Sequence, residues 1–234
     1  MAYHYKMKIK KTIKTKLIFA IIFTLASTFV NAQLKGSGKI ITKNYEYNNF
    51  DKISFEDLNG NIEVEIGKAW SISITIDDNL VSLLDFKENK SEHELKIQFK
   101  ANRNNRMYIE NTNTIIKITL PEASVIKNIG NSDLTVSHII GRYFRLVNTG
   151  NGNTTLSGRT DKLDVVKTGN GDVDAEALIV TNANLKSTGN GNVIVNVSKE
   201  LSGKLIGNGD LINKGNAKFD SNSKKIGNGK LIEQ

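Results

Sequence analysis

The tripeptide Gly-Asn-Gly returns through the second half of this chain at a nearly constant interval. Complete copies are Gly150-Asn151-Gly152, Gly169-Asn170-Gly171, Gly189-Asn190-Gly191, Gly207-Asn208-Gly209 and Gly227-Asn228-Gly229, and a degenerate copy, Gly130-Asn131-Ser132, precedes them. A fixed period of this kind marks a solenoid, because each repeat is a unit that buries its apolar face only by stacking on its neighbours.

The residues between the copies form matching columns. Four positions after each first glycine stand Leu134, Thr154, Val173, Val193, Leu211 and Leu231, and two further on Val136, Leu156, Ala175 and Val195. Four positions before the glycines stand Ile126, Leu146, Val165 and Leu185. Stacked coils would merge these columns into one core, with alternate residues facing solvent. The tripeptide suits a sharp corner, since glycine takes positive φ freely and asparagine tolerates the left-handed region. Corners stacked at about 4.8 Å would let the asparagine amides hydrogen-bond as a ladder. Strands from successive coils are parallel, and parallel crossovers are overwhelmingly right-handed. The expected fold is all-β, a right-handed parallel β-helix with coils of about 20 residues. Lys224, Lys225 and Lys230 surround Ile226, Leu231 and Ile232 in the last copy, where lysines discourage strand addition at an open end.

Before the repeats the pattern is plain alternation, at Ile62-Val64-Ile66, Ile72-Ile74-Ile76, Leu95-Ile97-Phe99 and Ile116-Ile118-Leu120. Period-two alternation predicts half-buried strands. One short helix is expected from Asp78 to Leu84, capped by Asp77 or Asp78. Asn102 to Asn105 reads as a polar loop, and Pro121, the only proline, closes a strand. The expected organisation is a leader over residues 1–32 and a single domain over 33–234, with irregular N-terminal coils at 33–127 and repeat coils at 128–234.

The leader is read from a basic stretch (Lys6, Lys8, Lys10, Lys11, Lys14, Lys16), an apolar run from Leu17 to Val30, and Val30-Asn31-Ala32 as a cleavage site. The alternative, an uncleaved anchor, is short of the roughly 20 residues a span needs. Those six lysines account for most of the formal charge of +8, and about +2 remains without them, which gives no support to nucleic-acid binding. The chain has no cysteine, which excludes disulfides, thiolate metal sites and a lipidated N-terminal cysteine. No later apolar run is long enough to span a membrane, and no outer-membrane-barrel segment is expected after the repeats.

From about Phe50 onward the chain resembles the bacterial head GIN domain proteins, described as autotransporter adhesins. The resemblance rests on Phe50-Asp51-Lys52-Ile53, the strands around Val64 and Ile74, the Asp78-Asn79-Leu80 turn, the Leu120-Pro121 step and the serial Gly-x-Gly-Asp-like repeats. It implies a β-helix of stacked coils, a secretion signal and a Bacteroidetes-type source. It implies no catalytic residues.

Candidate chemistry is sparse. His93 and His138 are isolated in sequence, and metal or histidine-dependent nucleophilic sites need denser constellations. Gly67-Lys68 and Gly229-Lys230 lack the spacing of a phosphate loop. Asp133, Asp172 and Asp210 share a column with Asn153 and Asn192, which reads either as calcium ligands or as side chains that cap turns by bonding local backbone. Arg142, Tyr143 and Arg145 combine cations with an aromatic ring, as do Arg103, Arg106 and Tyr108, and could stack on sugar or anchor a partner. Trp70, after the Gly67-Lys68-Ala69 turn, reads as a core-edge residue.

The expected protein is a secreted, non-enzymatic adhesin, interaction or structural protein of the cell envelope, located in the periplasm, at the surface or outside the cell. Its partner would be a glycan, a surface polymer or a protein, and no cofactor, metal or catalytic residue is expected. The alternatives are a carbohydrate-active β-helix enzyme, for which Arg142, Arg145, Arg159, Asp161 and Asp164 are the candidates, and a periplasmic scaffold without an external ligand.

Overall fold

A computed structural model describes residues 34–100, 109–110 and 114–234. The leader over 1–32, the Asn102–Asn105 loop and the group Arg103, Arg106 and Tyr108 lie outside the described residues. The N-terminal strands are β1 (Leu34–Lys35), β2 (Ile40–Tyr45), β3 (Lys52–Glu56), β4 (Asn61–Ile66), β5 (Ser71–Asp77), β6 (Leu84–Asn89), β7 (Glu94–Phe99), β8 (Ile109–Glu110) and β9 (Ile115–Leu120). The repeats follow as β10 (Val125–Gly130), β11 (Asp133–Gly150), β12 (Thr154–Gly169), β13 (Val173–Gly189), β14 (Val193–Gly207), β15 (Leu211–Asn213), β16 (Lys224–Ile226) and β17 (Leu231–Glu233).

The repeats stack as a parallel β-solenoid, with about five turns in all. Gly130, Gly150, Gly169, Gly189 and Gly207 stand in one register, glycine over glycine. The strict stacking explains why this residue is required. A Cβ on Gly169 would lie 2.1 Å from the Gly150 carbonyl oxygen, at a φ of +124°. Both the close approach and the backbone angle demand glycine. The repeats are not all of one length, since the step from Gly189 to Gly207 is shorter than the step from Gly169 to Gly189. The difference is accommodated at a second corner, where the pairing slips after Val136, Thr155 and Ala175. The Gly-Asn-Gly corners therefore stay aligned while this bulged corner takes up the differences in repeat length, extra residues as well as missing ones.

All three apolar columns from Ile126, Leu134 and Val136 point inward, and apart from Leu231 at the end of the stack their members are buried. Burial along an interior of parallel strands holds the coils together, at about 25 cal/mol per Å² of apolar surface. The solenoid also runs beyond the repeats. β3 pairs parallel with β10 and β7, and β4 pairs parallel with β11 and β9. Strands β3 and β4 thus make the coil next to the repeats. β7 and β9, later in sequence, lie outside it.

Antiparallel strands close this end. β5 pairs with β9 and β2, and β6 pairs with β7. At the other end the last coil is short, with Lys224, Lys225 and Lys230 exposed around a 68% exposed Ile226.

The expected helix is present as a 3-10 helix, Asp78–Leu83, and Asp77 makes no side-chain cap to it. The Asp77 carboxylate is buried instead and accepts the Gly38 N–H at 2.7 Å, while Asp78 accepts the Ser37 hydroxyl at 2.7 Å. Both carboxylates tie the N-terminal segment to the helix start.

Candidate functional site

At the corners two columns of side chains are engaged from coil to coil. The Nδ2 of Asn151, Asn170, Asn190, Asn208 and Asn228 each donates to the Oδ1 of the asparagine one coil earlier, at 2.7 to 3.1 Å. In the neighbouring column Asp133, Asn153, Asp172, Asn192 and Asp210 each accept a backbone N–H through Oδ1, at 2.7 to 3.0 Å. The amide belongs to the next coil rather than to the residue's own turn. Among the described residues there is no group of three or more acidic or histidine side chains placed to hold a metal ion.

Two positions before the corner glycines lies an interior column that the sequence reading passed over: Asn128, Asn148, Lys167 and Ser187, all buried, followed by Leu205. Asn128 and Asn148 each donate across the corner, to the carbonyls of Ser132 and Gly152. Lys167 reaches the Gly169 carbonyl at 3.1 Å. Burial lowers the Lys167 pKa from its ordinary value, and Asp172 partly opposes the shift. Strict alternation from Val165 would have placed Lys167 inside.

Arg142, Arg159 and Asp161 are exposed, with Arg142 and Asp161 falling opposite each other on adjacent coils, between the pairs Gly141–Thr160 and Tyr143–Lys162, whereas Tyr143, Arg145 and Asp164 meet. Arg145 and Asp164 are register partners on adjacent coils, and the Tyr143 hydroxyl donates to Asp164 at 2.9 Å. Burial and that carboxylate raise the Tyr143 pKa, with Arg145 acting in the opposite sense. The Tyr143 hydroxyl is thus already engaged in joining two coils. The same face continues through the columns Lys162–Asn182–Glu200 and Asn184–Ser202 into an open polar groove of about 420 Å³.

His93 and His138 both hold left-handed backbone, with φ of +51° and +60°. The His93 ring lies 3.1 Å from the Asn49 carbonyl, and His138 sits 3.8 Å from Glu65. At the N-terminal end Tyr47 stacks on Phe86 with ring centroids 5.0 Å apart, and Tyr45 packs against the same ring at 4.5 Å. Trp70 donates Nε1–H to the Phe50 carbonyl at 3.1 Å and is 38% exposed. Trp70, Tyr45 and Tyr47 line a second open groove, of about 490 Å³.

The family model described as "Putative auto-transporter adhesin, head GIN domain" matches residues 49–217, most of the chain and nearly all of the solenoid. The chain belongs to the head GIN domain family. Solved structures agree with this head GIN fold. A crystal structure of a "putative adhesin" from Bacteroides fragilis superposes with a TM-score of 0.63 at 20% identity, covering 86% of this chain and 100% of that one. A "putative lipid binding protein" from Parabacteroides distasonis superposes with a TM-score of 0.56 at 19% identity, covering 86% and 99%. At these identities the likeness shows the fold alone. No curated protein matches the chain. Among the described residues of this head GIN protein, no helix is long and apolar enough to cross a membrane.

Proposed function

We propose that this head GIN protein is an exported, non-enzymatic adhesin of the cell envelope that grips an extended ligand along its solenoid face. The family assignment supports an adhesive role. One observation carries the mode of binding: Tyr143, Lys162, Asn182 and Glu200 stand in one outward column, coil over coil, beside Arg145, Asp164, Asn184 and Ser202. Such a surface presents polar side chains one above another at the strand spacing of about 4.8 Å. It suits a polymer, because contacts that are weak singly add along its length. The ligand is a glycan, a surface polymer or an extended protein segment.

Two experiments test the reading. Protease accessibility on intact and permeabilised cells locates the protein. Cleavage on intact cells is expected, and protection until the outer membrane is opened would replace the adhesin with a periplasmic scaffold. Purified protein of residues 33–234 is then presented to cells and matrix polymers. Retention that weakens in the Lys162→Ala, Glu200→Ala double variant is expected. Absence of retention, together with unchanged attachment of a deletion strain, would overturn the adhesive reading. A carbohydrate-active role would show instead as cleavage of a polysaccharide lost in Arg145→Ala.

A further inference from the structure

From the N-terminal groove we infer a sugar-binding site, built by Trp70, Tyr45 and Tyr47 with Glu46, that takes a single pyranose residue of a glycan. The inference rests on the adhesive reading for its biological setting but not for its chemistry.

Three features set this groove apart from the rest of the surface. The first is aromatic planes held in place before any ligand arrives. Trp70 is fixed by its bond to the Phe50 carbonyl, and Tyr45 and Tyr47 are both braced by Phe86. The chain's single tryptophan is left exposed at the mouth of the groove, although burial would stabilise the fold by an amount set by its large apolar area. The second is unspent hydrogen-bonding capacity. Among the described residues, the Tyr45 and Tyr47 hydroxyls and the Glu46 carboxylate make no side-chain hydrogen bond or ion pair, whereas the Tyr143 hydroxyl is already bonded to Asp164. Burial raises the pKa of both tyrosines, and Glu88 and Asp85 add to the effect at Tyr47, so their hydroxyls remain neutral donors and acceptors. The third is shape: the groove is open and about 490 Å³, room for one sugar ring with its neighbours extending into solvent.

A pyranose matches this set. One face of the ring presents C–H groups that lie flat on an aromatic plane, and its edge presents hydroxyls that both donate and accept. Flat apolar walls with a few convergent polar groups are what such a ligand needs. A lipid chain would cover the half-buried Tyr45 and Tyr47 without offering their hydroxyls a hydrogen-bond partner, at a cost.

Trp70 is the only tryptophan in the chain, so its fluorescence reports on this groove alone. The test titrates the purified protein with neutral mono- and oligosaccharides: glucose, galactose, mannose, N-acetylglucosamine and their short oligomers. A saturable change in Trp70 emission with at least one of them is expected. It should weaken about tenfold in Tyr47→Ala, through loss of a stacking wall. It should weaken less in Tyr47→Phe, which keeps the ring. Calorimetry on Trp70→Ala should show the binding lost, with an unchanged circular dichroism spectrum showing the fold intact. No saturable change with any sugar overturns the site even if cells are still retained by the protein. Sugar binding that Tyr47→Ala and Glu46→Gln leave untouched also overturns it. Sugar binding at this groove without any cell attachment would uphold the site and remove the adhesive reading instead.

Discussion

In the repeat stack, every corner is fastened to the equivalent corner of the coil before it. The Asn170 amide bonds Asn151, the Asp172 amide N–H bonds Asn153, and glycine lies over glycine. In the N-terminal cap the fastenings are one of a kind. Trp70 bonds Phe50, Gly38 bonds Asp77, Ser124 bonds Asp51, and Lys127 pairs with Glu94 at 2.7 Å. The stack repeats one solution at its corners, where the asparagine and aspartate side chains are used in holding the coils together, while the strand faces between the corners carry a varied polar set. The cap combines several solutions, and there aromatic and polar groups are left over. Periodicity gives corners with one repeated chemistry, whereas irregularity leaves a groove with aromatic walls.

The sharpest way to break this contrast is at glycine. Gly169→Ala should destabilise by about 3 kcal/mol or more, because the new methyl collides with the backbone of the coil below, which cannot move without disturbing every coil above it. Gly67→Ala, in the turn before β5, meets nothing within 4 Å and carries only a φ of +94°. Its cost should be about 1 to 2 kcal/mol. Urea unfolding of both variants measures the difference, and equal costs would mean that the stack is no more tightly constrained than the cap.

The asparagine ladder gives a smaller effect. Asn190→Ala removes a bond to Asn170 and one from Asn208, both exposed, and should cost about 1 kcal/mol. Asn228→Ala at the end of the ladder removes one bond and should cost about half as much. If the two cost the same, the ladder does not act as a continuous unit.

The smallest effect is expected at Lys167, and it has a pH signature. Its native pKa is lowered, so between that value and its ordinary alkaline value the unfolded chain binds the proton and the native chain does not. Stability therefore rises with pH through that window, and at neutral pH the buried charge is a burden on the native state. Lys167→Met should equal or exceed the wild type in stability at neutral pH, and its advantage should shrink as the pH rises through the window. Melting temperatures of the two proteins across alkaline pH measure this, and a constant difference would show that Lys167 keeps its ordinary pKa in the fold.

Much of the stack was legible in the sequence because its rules are local and repeated. Spacing of the glycines implied the coil, and alternation placed Leu146, Val165 and Leu185 inside. The same alternation places Lys167 inside two positions after Val165, but a lysine at a core position reads as an exception until its carbonyl partner is seen. The aspartate column was legible as turn chemistry in kind, whereas its partner, the amide of the next coil, depends on stacking. Tyr143 was legible as an aromatic among cations, and only the register showed that Asp164 engages its hydroxyl. The cap groove was hardly legible. Trp70 read as a core-edge residue because nothing near it in sequence announces Tyr45, Tyr47 or Phe86.

The sequence by itself determined a solenoid of parallel coils with glycine corners, because so short and constant a period leaves each coil no partner but the next. The tertiary structure decided the rest. It put β7 and β9 outside the coil that precedes them in sequence and turned β2, β5 and β6 antiparallel to close that end. It also brought Trp70 beside Tyr45 and Tyr47, from which β3 and β4 separate it along the chain. Those pairings join distant segments once each. They are set by which surfaces remain to be buried after the coils have stacked, and no local period encodes them.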